Sequence, residues 1–254
     1  MAYSGDALIG YTGFVGSNIL AQHTFGSLYN SQNIQDIQNQ NFRLVVCAGA
    51  PGTKWIANKN PEQDLAAIKK LISSLEKVQC QKLLLISTID VYAQPVKRAD
   101  EDTAIRPEAL TPYGRHRRLL EEFAEKNFDC LIVRLPGIFG PGLKKNAIYD
   151  LMNNLTLTVS SESILQFYWL GHIWQDLNKA LTHGLKTLNL ATEPFLLKLL
   201  AREIFNRELN DTNTVPAYYD VHSKYSSIWG GKGSYLYSQT QILADLKTFV
   251  SEQN

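Results

Sequence analysis

Along the first half of the chain, apolar runs of strand length alternate with longer segments in which apolar residues return at helical spacing. The strand-like runs are Ala7-Leu8-Ile9, a weak one at Ser27-Leu28-Tyr29, Leu44-Val45-Val46-Cys47, Leu83-Leu84-Leu85-Ile86 and Cys130-Leu131-Ile132-Val133. Continuous runs this short suit strands buried on both faces. Residues 17–23, 60–78 and 113–127 carry the helical period instead. Asn60-Pro61-Glu62 adds a cap residue, a proline for the first helical position and an early carboxylate. Strand and helix in alternation, joined by short connections, predict right-handed βαβ crossovers and an α/β fold on a doubly wound parallel sheet.

After Gly142 this rhythm weakens. Residues 176–185 and 193–205 read as helices, and 218–237 as Tyr-, Ser- and Gly-rich loops with short strands that could form a lid or a dimer edge. Residues 239–250 read as an amphipathic helix with Ile242, Leu243, Leu246, Phe249 and Val250 along one side. The expectation is a sheet domain over residues 1–142. A small region over 143–254 would cover a ligand, with some of its elements returning to the main domain.

The most specific local signal is Gly10-Tyr11-Thr12-Gly13-Phe14-Val15-Gly16, a G-x-x-G-x-x-G turn between the first strand and the first helix. Gly10 allows the tight reversal, Gly13 lets a pyrophosphate approach the backbone, and Gly16 lets helix and strand pack closely. Amides at the start of the following helix then face the phosphates. This makes the fold Rossmann-like and predicts NAD or NADP binding at Gly10, Thr12, Gly13, Phe14, Val15 and Gly16; a purely structural tight turn is the alternative. The acidic residue that usually grips the adenosine ribose is missing at the end of the second strand. Asn30 and Ser31 stand there instead and can bond a ribose hydroxyl or a 2′-phosphate, so NAD and NADP are not separated.

Composition narrows the partners. The 254 residues carry 25 Lys+Arg against 24 Asp+Glu, a net charge of +1. With no long-range field to gather nucleic acid or an anionic membrane, any bound anion must be caught by local geometry. Cys47, Cys80 and Cys130 are odd in number and lie in or beside apolar runs, which suits core thiols in a reducing compartment; no metal cluster is expected. The first residues lack the basic start of a secretory signal, and no apolar stretch nears the ~20 residues of a membrane span, so the cytoplasm is expected.

Further motifs follow in order: Cys47-Ala48-Gly49-Ala50, Leu85-Ile86-Ser87-Thr88-Ile89-Asp90-Val91-Tyr92, Tyr113-Gly114-Arg115-His116-Arg117, and residues 134–142 with Pro136-Gly137-Ile138. Trp174-Gln175-Asp176-Leu177 and Asn189-Leu190-Ala191-Thr192-Glu193-Pro194 come later. With the glycine turn, they resemble the extended short-chain dehydrogenase/reductase superfamily, NAD-dependent epimerase/dehydratase family, whose members act mainly on nucleotide sugars. The resemblance implies that Thr88 touches the reacting oxygen, that Tyr113 is the acid/base, and that Asp90 stands where sugar dehydratases carry a carboxylate. It places Ala48, Gly49, Ala50, Ser87, Tyr113, Arg117, Pro136, Gly137 and Ile138 against the coenzyme. Arg117 stands where the family has lysine, a change that keeps the charge but not the point geometry of an ammonium. His116 is expected to be a partly exposed surface residue, and Arg115 and Arg118 a solvated face balanced by Glu121 and Glu122.

The implied activity is hydride transfer to or from a sugar or nucleotide-sugar carbon as an epimerase, dehydratase or reductase, with a homodimer possible from kinship. Lys144, Lys145, Arg202, Lys224 and Lys232 are the cations available for a substrate diphosphate. Two other readings compete: a dinucleotide-binding regulator or scaffold that lost catalysis, suggested by the missing lysine, and a binding protein that uses the fold without coenzyme.

Overall fold

In the computed structural model, which describes residues 3–210, 214–231 and 233–253, the apolar runs become one six-stranded parallel sheet. Its spatial order is Thr187–Asn189, Cys130–Leu135, Gln79–Thr88, Asn41–Cys47, Ser4–Ile9 and Ser27–Tyr29. The last of these six strands in chain order, Thr187–Asn189, was not foreseen, because three residues following a helix carry too little pattern to read as a strand. Register aligns the carboxyl ends: Ile9 stands beside Tyr29 on one side and Cys47 on the other, and Cys47 beside Leu85. The chain leaves Ser4–Ile9 toward Ser27–Tyr29 and then crosses to Asn41–Cys47 on the opposite side. The crevice between Ser4–Ile9 and Asn41–Cys47 is therefore a topological switch point, the usual ligand position in such sheets.

Helices cover this sheet where the periodicity placed them, with shifts set by local chemistry. Phe14–Leu20 starts three residues earlier than expected because Gly13 is its cap. Pro61–Leu75 and Pro112–Asn127 each begin with proline, whose missing N–H costs nothing there. The first presents Ile68, Leu71 and Leu75, and the second Leu120 and Ala124, to a core shared with Val45, Cys47, Leu83, Leu85 and Ile132. Ile173–Thr182 lies three residues before its expected span. The three cysteines are free thiols; Cys47 and Cys130 are buried and Cys80 half-buried, and burial pushes Cys47 up to about 11.

By compactness the chain forms two units whose segments interleave. The first contains Met1–Ala93, Ile105–Arg134 and His172–Leu188, and the second Gln94–Ala104, Leu135–Gly171 and Asn189–Asn254. In the second, Gly137–Phe139 pairs with Phe167–Trp169 and Val96–Ala99 with Tyr219–Val221, while Phe195–Leu196 runs antiparallel to Ile164–Leu165. That last pair is why the helix expected from residue 193 begins only at Leu197. The terminal helix Gln239–Ser251 opens with a capping box between Ser238 and Gln241, and Ile242, Leu246 and Phe249 close a core with Phe139, Phe167 and Leu200. Among the described residues, no helix is long and apolar enough to cross a membrane.

Two glycines of the turn are fixed by packing. Gly10 has φ +85° and a Cβ there would meet the Ala48 carbonyl at 2.4 Å, while one on Gly16 would meet the Gly10 oxygen at 2.1 Å. Because backbone cannot swing aside as a side chain does, Gly16→Ala is expected to destabilise the protein by at least the ~1–3 kcal/mol of an overpacked core. A fall in the urea midpoint checks this, and an unchanged midpoint would contradict the packing described.

Candidate active site

The first unit gathers most of the sequence-predicted residues at the carboxyl ends of three neighbouring strands. Gly10 donates its N–H to the Tyr29 carbonyl at 2.7 Å, and Gly13 donates to Gly10 at 2.9 Å, which folds the turn back on itself. Thr12 and Gly13 are exposed, and an added Cβ on Gly13 would lie 3.3 Å from the Gly10 oxygen, so this glycine is demanded less by the fold than its two neighbours. The helix that follows has no side-chain cap on Gly13 and no acidic residue in its first turn. First-turn amides with no capping side chain and no nearby carboxylate fit an anionic diphosphate.

At the ribose position, Asn30 spends its Oδ1 on the Gln32 N–H at 2.9 Å and donates from Nδ2 to the Tyr11 hydroxyl at 3.3 Å. Ser31 is exposed in the adjoining turn. Ala48 donates to the Ile9 carbonyl at 2.9 Å, and Gly49 packs against the Ile9 side chain closely enough to forbid a Cβ. The 48–51 segment therefore joins the glycine turn to the next group.

That group is built by one close approach. A Cβ on Gly114 would meet the Asp90 carbonyl at 2.1 Å, so only glycine lets the helix Pro112–Asn127 sit against the 3₁₀ turn Ile89–Val91. Tyr113 is thereby buried with its phenol close enough to Thr88 to feel that hydroxyl. Its backbone N–H donates to Asn58 Oδ1 at 3.0 Å. The Asp90 N–H donates to Thr88 Oγ1 at 3.1 Å, and Asp90 Oδ2 lies 3.4 Å from the same hydroxyl. Asp90 also pairs with Lys54, whose Nζ is 2.7 Å from Oδ1. Burial first, then the charge of Asp90, push the Tyr113 phenol up to about 12; Arg117 and the Thr88 hydrogen bond oppose this, and Asp64 adds to it.

Arg117 reaches the same place from one turn further along the helix. Its guanidinium carbon lies 4.0 Å from the centroid of the Tyr113 ring. The Nη groups hold both oxygens of Asp64, at 2.5 and 2.9 Å, and Nη2 also donates to the Pro51 carbonyl. Nε is buried with no partner among the described residues. Asp64 also takes a hydrogen bond from His116 Nδ1 at 2.7 Å. His116 is therefore a buried residue bonded to a carboxylate, not the partly exposed surface histidine expected: position 116 turns toward the helix Pro61–Leu75.

Sequence reasoning missed Asp64 and Lys54. Asp64 was detectable, since it heads the stripe Asp64, Ile68, Leu71, Leu75 at the i, i+4, i+7, i+11 spacing of a buried helix face, where a carboxylate demands a cationic partner. Lys54 follows a glycine- and proline-rich loop and carried no signal.

Ser87 donates to Glu121 at 2.6 Å, on the opposite face of the strand from Thr88. It belongs to a buried network in which Arg134 holds both Glu121 oxygens, at 3.0 and 2.8 Å, and donates to the Tyr92 hydroxyl. Glu121 is thus fully buried rather than part of a solvated face, although Arg118 does bridge it to Glu122 and Glu125. Pro136, Gly137 and Ile138 belong to the second unit, where Gly137 packs against the Gln166 carbonyl and the Phe167 ring. Of the substrate cations suggested, Lys224 pairs with Asp102 and Lys232 lies outside the described residues.

A doubly wound sheet with a glycine turn at its switch point and a hydroxyl–phenol pair at the next strand end is a Rossmann-like arrangement of the short-chain dehydrogenase type. The chain belongs to the NAD dependent epimerase/dehydratase family, whose model matches residues 21–162. Three solved structures share the fold along nearly their whole length. A dTDP-4-dehydrorhamnose reductase from Clostridium acetobutylicum is 15% identical with TM-score 0.75, covering 98% of this chain and 99% of that one. UDP-glucose 4-epimerase from Thermotoga maritima is 15% identical with TM-score 0.68, covering 98% of each chain. An NAD-dependent NDP-hexosamine 5,6-dehydratase involved in tunicamycin biosynthesis is 16% identical with TM-score 0.75, covering 97% and 96%. No curated protein matches the chain by sequence.

The raised phenol gives a pH signature. An unfolded tyrosine titrates near 10, so between pH 10 and about 12 the folded state keeps a proton the unfolded chain has lost. This contribution is whole below pH 10 and is lost as pH rises through that window, by roughly 2–3 kcal/mol at ~1.4 kcal/mol per unit. Urea denaturation from pH 9 to 12 should show a shallower alkaline decline for Tyr113→Phe than for the wild type. Parallel curves would place the phenol in an ordinary environment.

Proposed function

We propose that this chain is an NAD(P)-dependent enzyme acting on a nucleotide sugar, and that within its family it works as a reductase. The observation that carries this reading is the Thr88–Tyr113 pair beside the glycine turn, with the phenol raised to about 12. A buried phenol that holds its proton at neutral pH is suited to giving one to a carbonyl oxygen. The coenzyme supplies the hydride when bound.

In this reading the backbone of residues 10–16 holds the coenzyme diphosphate, and Asn30 and Ser31 meet the adenosine ribose. Thr88 orients the substrate oxygen, and Tyr113 delivers the proton. Arg117 fixes the phenol ring and the 51-carbonyl loop rather than reaching for a ribose, since both its Nη groups are committed. We assign Pro136, Gly137 and Ile138 to the nicotinamide end of the coenzyme. A cytoplasmic homodimer through the helices Pro61–Leu75 and Pro112–Asn127 completes the proposal; Leu119 is exposed there, with Ile72 and Phe123 alongside.

One observation favours a second reading, a coenzyme-binding protein without turnover: the guanidinium in the lysine's place is locked to Asp64. Fluorescence titration with NADH and NADPH, followed by turnover assays, separates the two. The proposal expects binding of at least one coenzyme in the micromolar range and reduction of a nucleotide 4-ketosugar such as dTDP-4-dehydrorhamnose. It also expects Tyr113→Phe to lower kcat by about 10²–10⁴-fold with coenzyme affinity unchanged. Coenzyme binding with no turnover on this substrate, or on UDP-glucose with NAD, would favour the second reading; binding of neither coenzyme would remove both.

A further inference from the structure

A buried phenol that gives up a proton in each turnover must be recharged from solvent, and the residue in the motif position cannot do it. Arginine holds its proton at any accessible pH, whereas lysine can release one. We infer that Lys54, on a different helix, takes over this duty and passes protons to Tyr113 through Asp90 and Thr88; the inference rests on Tyr113 being the proton donor.

The geometry forms a graded path. Lys54 has 41% of its side chain exposed and stands 2.7 Å from Asp90, which is 16% exposed. Asp90 Oδ2 lies 3.4 Å from the Thr88 hydroxyl, and the buried Thr88 neighbours the buried Tyr113 phenol. From the other side the phenol faces Arg117, whose Nη groups are held by Asp64 and the Pro51 carbonyl, with His116 bonded to the same Asp64. In each cycle the Thr88 hydroxyl proton moves to the phenolate oxygen while Thr88 takes a proton from Asp90. Asp90 has received it from the Lys54 ammonium, and the resulting amine takes one from water. N–H and O–H bonds exchange one for one, nothing is oxidised or reduced, and one proton travels from solvent to the phenol.

Lys54→Ala and Lys54→Arg test this, because arginine keeps the charge beside Asp90 and cannot pass the proton. With dTDP-4-dehydrorhamnose and the coenzyme that binds, both variants should lose on the order of tenfold or more in kcat, with KM changed less than about twofold. Added ethylammonium should restore part of the Lys54→Ala rate. Wild-type kcat in Lys54→Arg would overturn proton passage. A second readout needs no turnover: ¹³Cζ-tyrosine NMR, assigned with Tyr113→Phe, should show the Tyr113 midpoint fall in Asp90→Asn, rise in Lys54→Ala and stay put in Lys54→Arg. A midpoint unmoved in both Asp90→Asn and Lys54→Ala would show that the path does not couple to the phenol. If no turnover is found in the wild type, the reductase reading fails by itself, and the NMR result still decides the linkage.

Discussion

The site depends on one buried carboxylate. Asp64 receives both Nη groups of Arg117 and the Nδ1 of His116, and so ties the helix Pro61–Leu75 to the helix Pro112–Asn127 at the level of Tyr113. A guanidinium this buried would be untenable without such a partner, and a buried carboxylate equally so without its cation. Removing either leaves an uncompensated charge worth several kcal/mol, so the pair is a structural commitment. It also changes the chemistry available to the phenol. A cation already neutralised by a bidentate carboxylate does little to favour phenolate, and burial with Asp90 nearby then outweighs it.

The phosphate turn follows a different logic, because it uses no charged side chain. Its parts are backbone amides, a left-handed glycine and two contacts too close for a Cβ. This is why a chain of net charge +1 can carry an anion site at all. It is also why the turn was readable from sequence: where backbone must approach backbone within about 3 Å, only glycine is allowed, and glycine spacing reports geometry directly.

The same contrast explains how much else was legible. Buried strands announce themselves by continuous apolar runs, and Pro61 and Pro112 mark their helix starts, so five of the six sheet strands were read by their buried stretches and the two main helices nearly to their ends. Thr88, Tyr113 and Arg117 were found because they lie in contiguous motifs. Lys54 and the true setting of His116 were missed because their meaning lies in partners 36 and 52 residues away, and pairing across elements leaves no local period; Asp64 alone had a local signal, its place on a buried helical stripe. The bond of Ser87 to Glu121 was hidden for a related reason. Adjacent strand residues point to opposite faces, so proximity in sequence to Thr88 put it in a different network.

The exchange of lysine for arginine and the Lys54–Asp90 pair are best understood together. A lysine in the motif position combines two properties, positive charge near the phenol and a proton that can be released; arginine supplies only the first. Once Arg117 is fixed to Asp64, a lysine elsewhere must supply the second if the phenol is to turn over. Asp90 makes such a lysine useful, since it touches Thr88 on one side and Lys54 on the other. The same carboxylate raises the phenol and so favours its donor form. In the proposed relay Asp90 has both parts: its charge raises the Tyr113 phenol, and its position between Thr88 and Lys54 is the route by which the proton would be replaced.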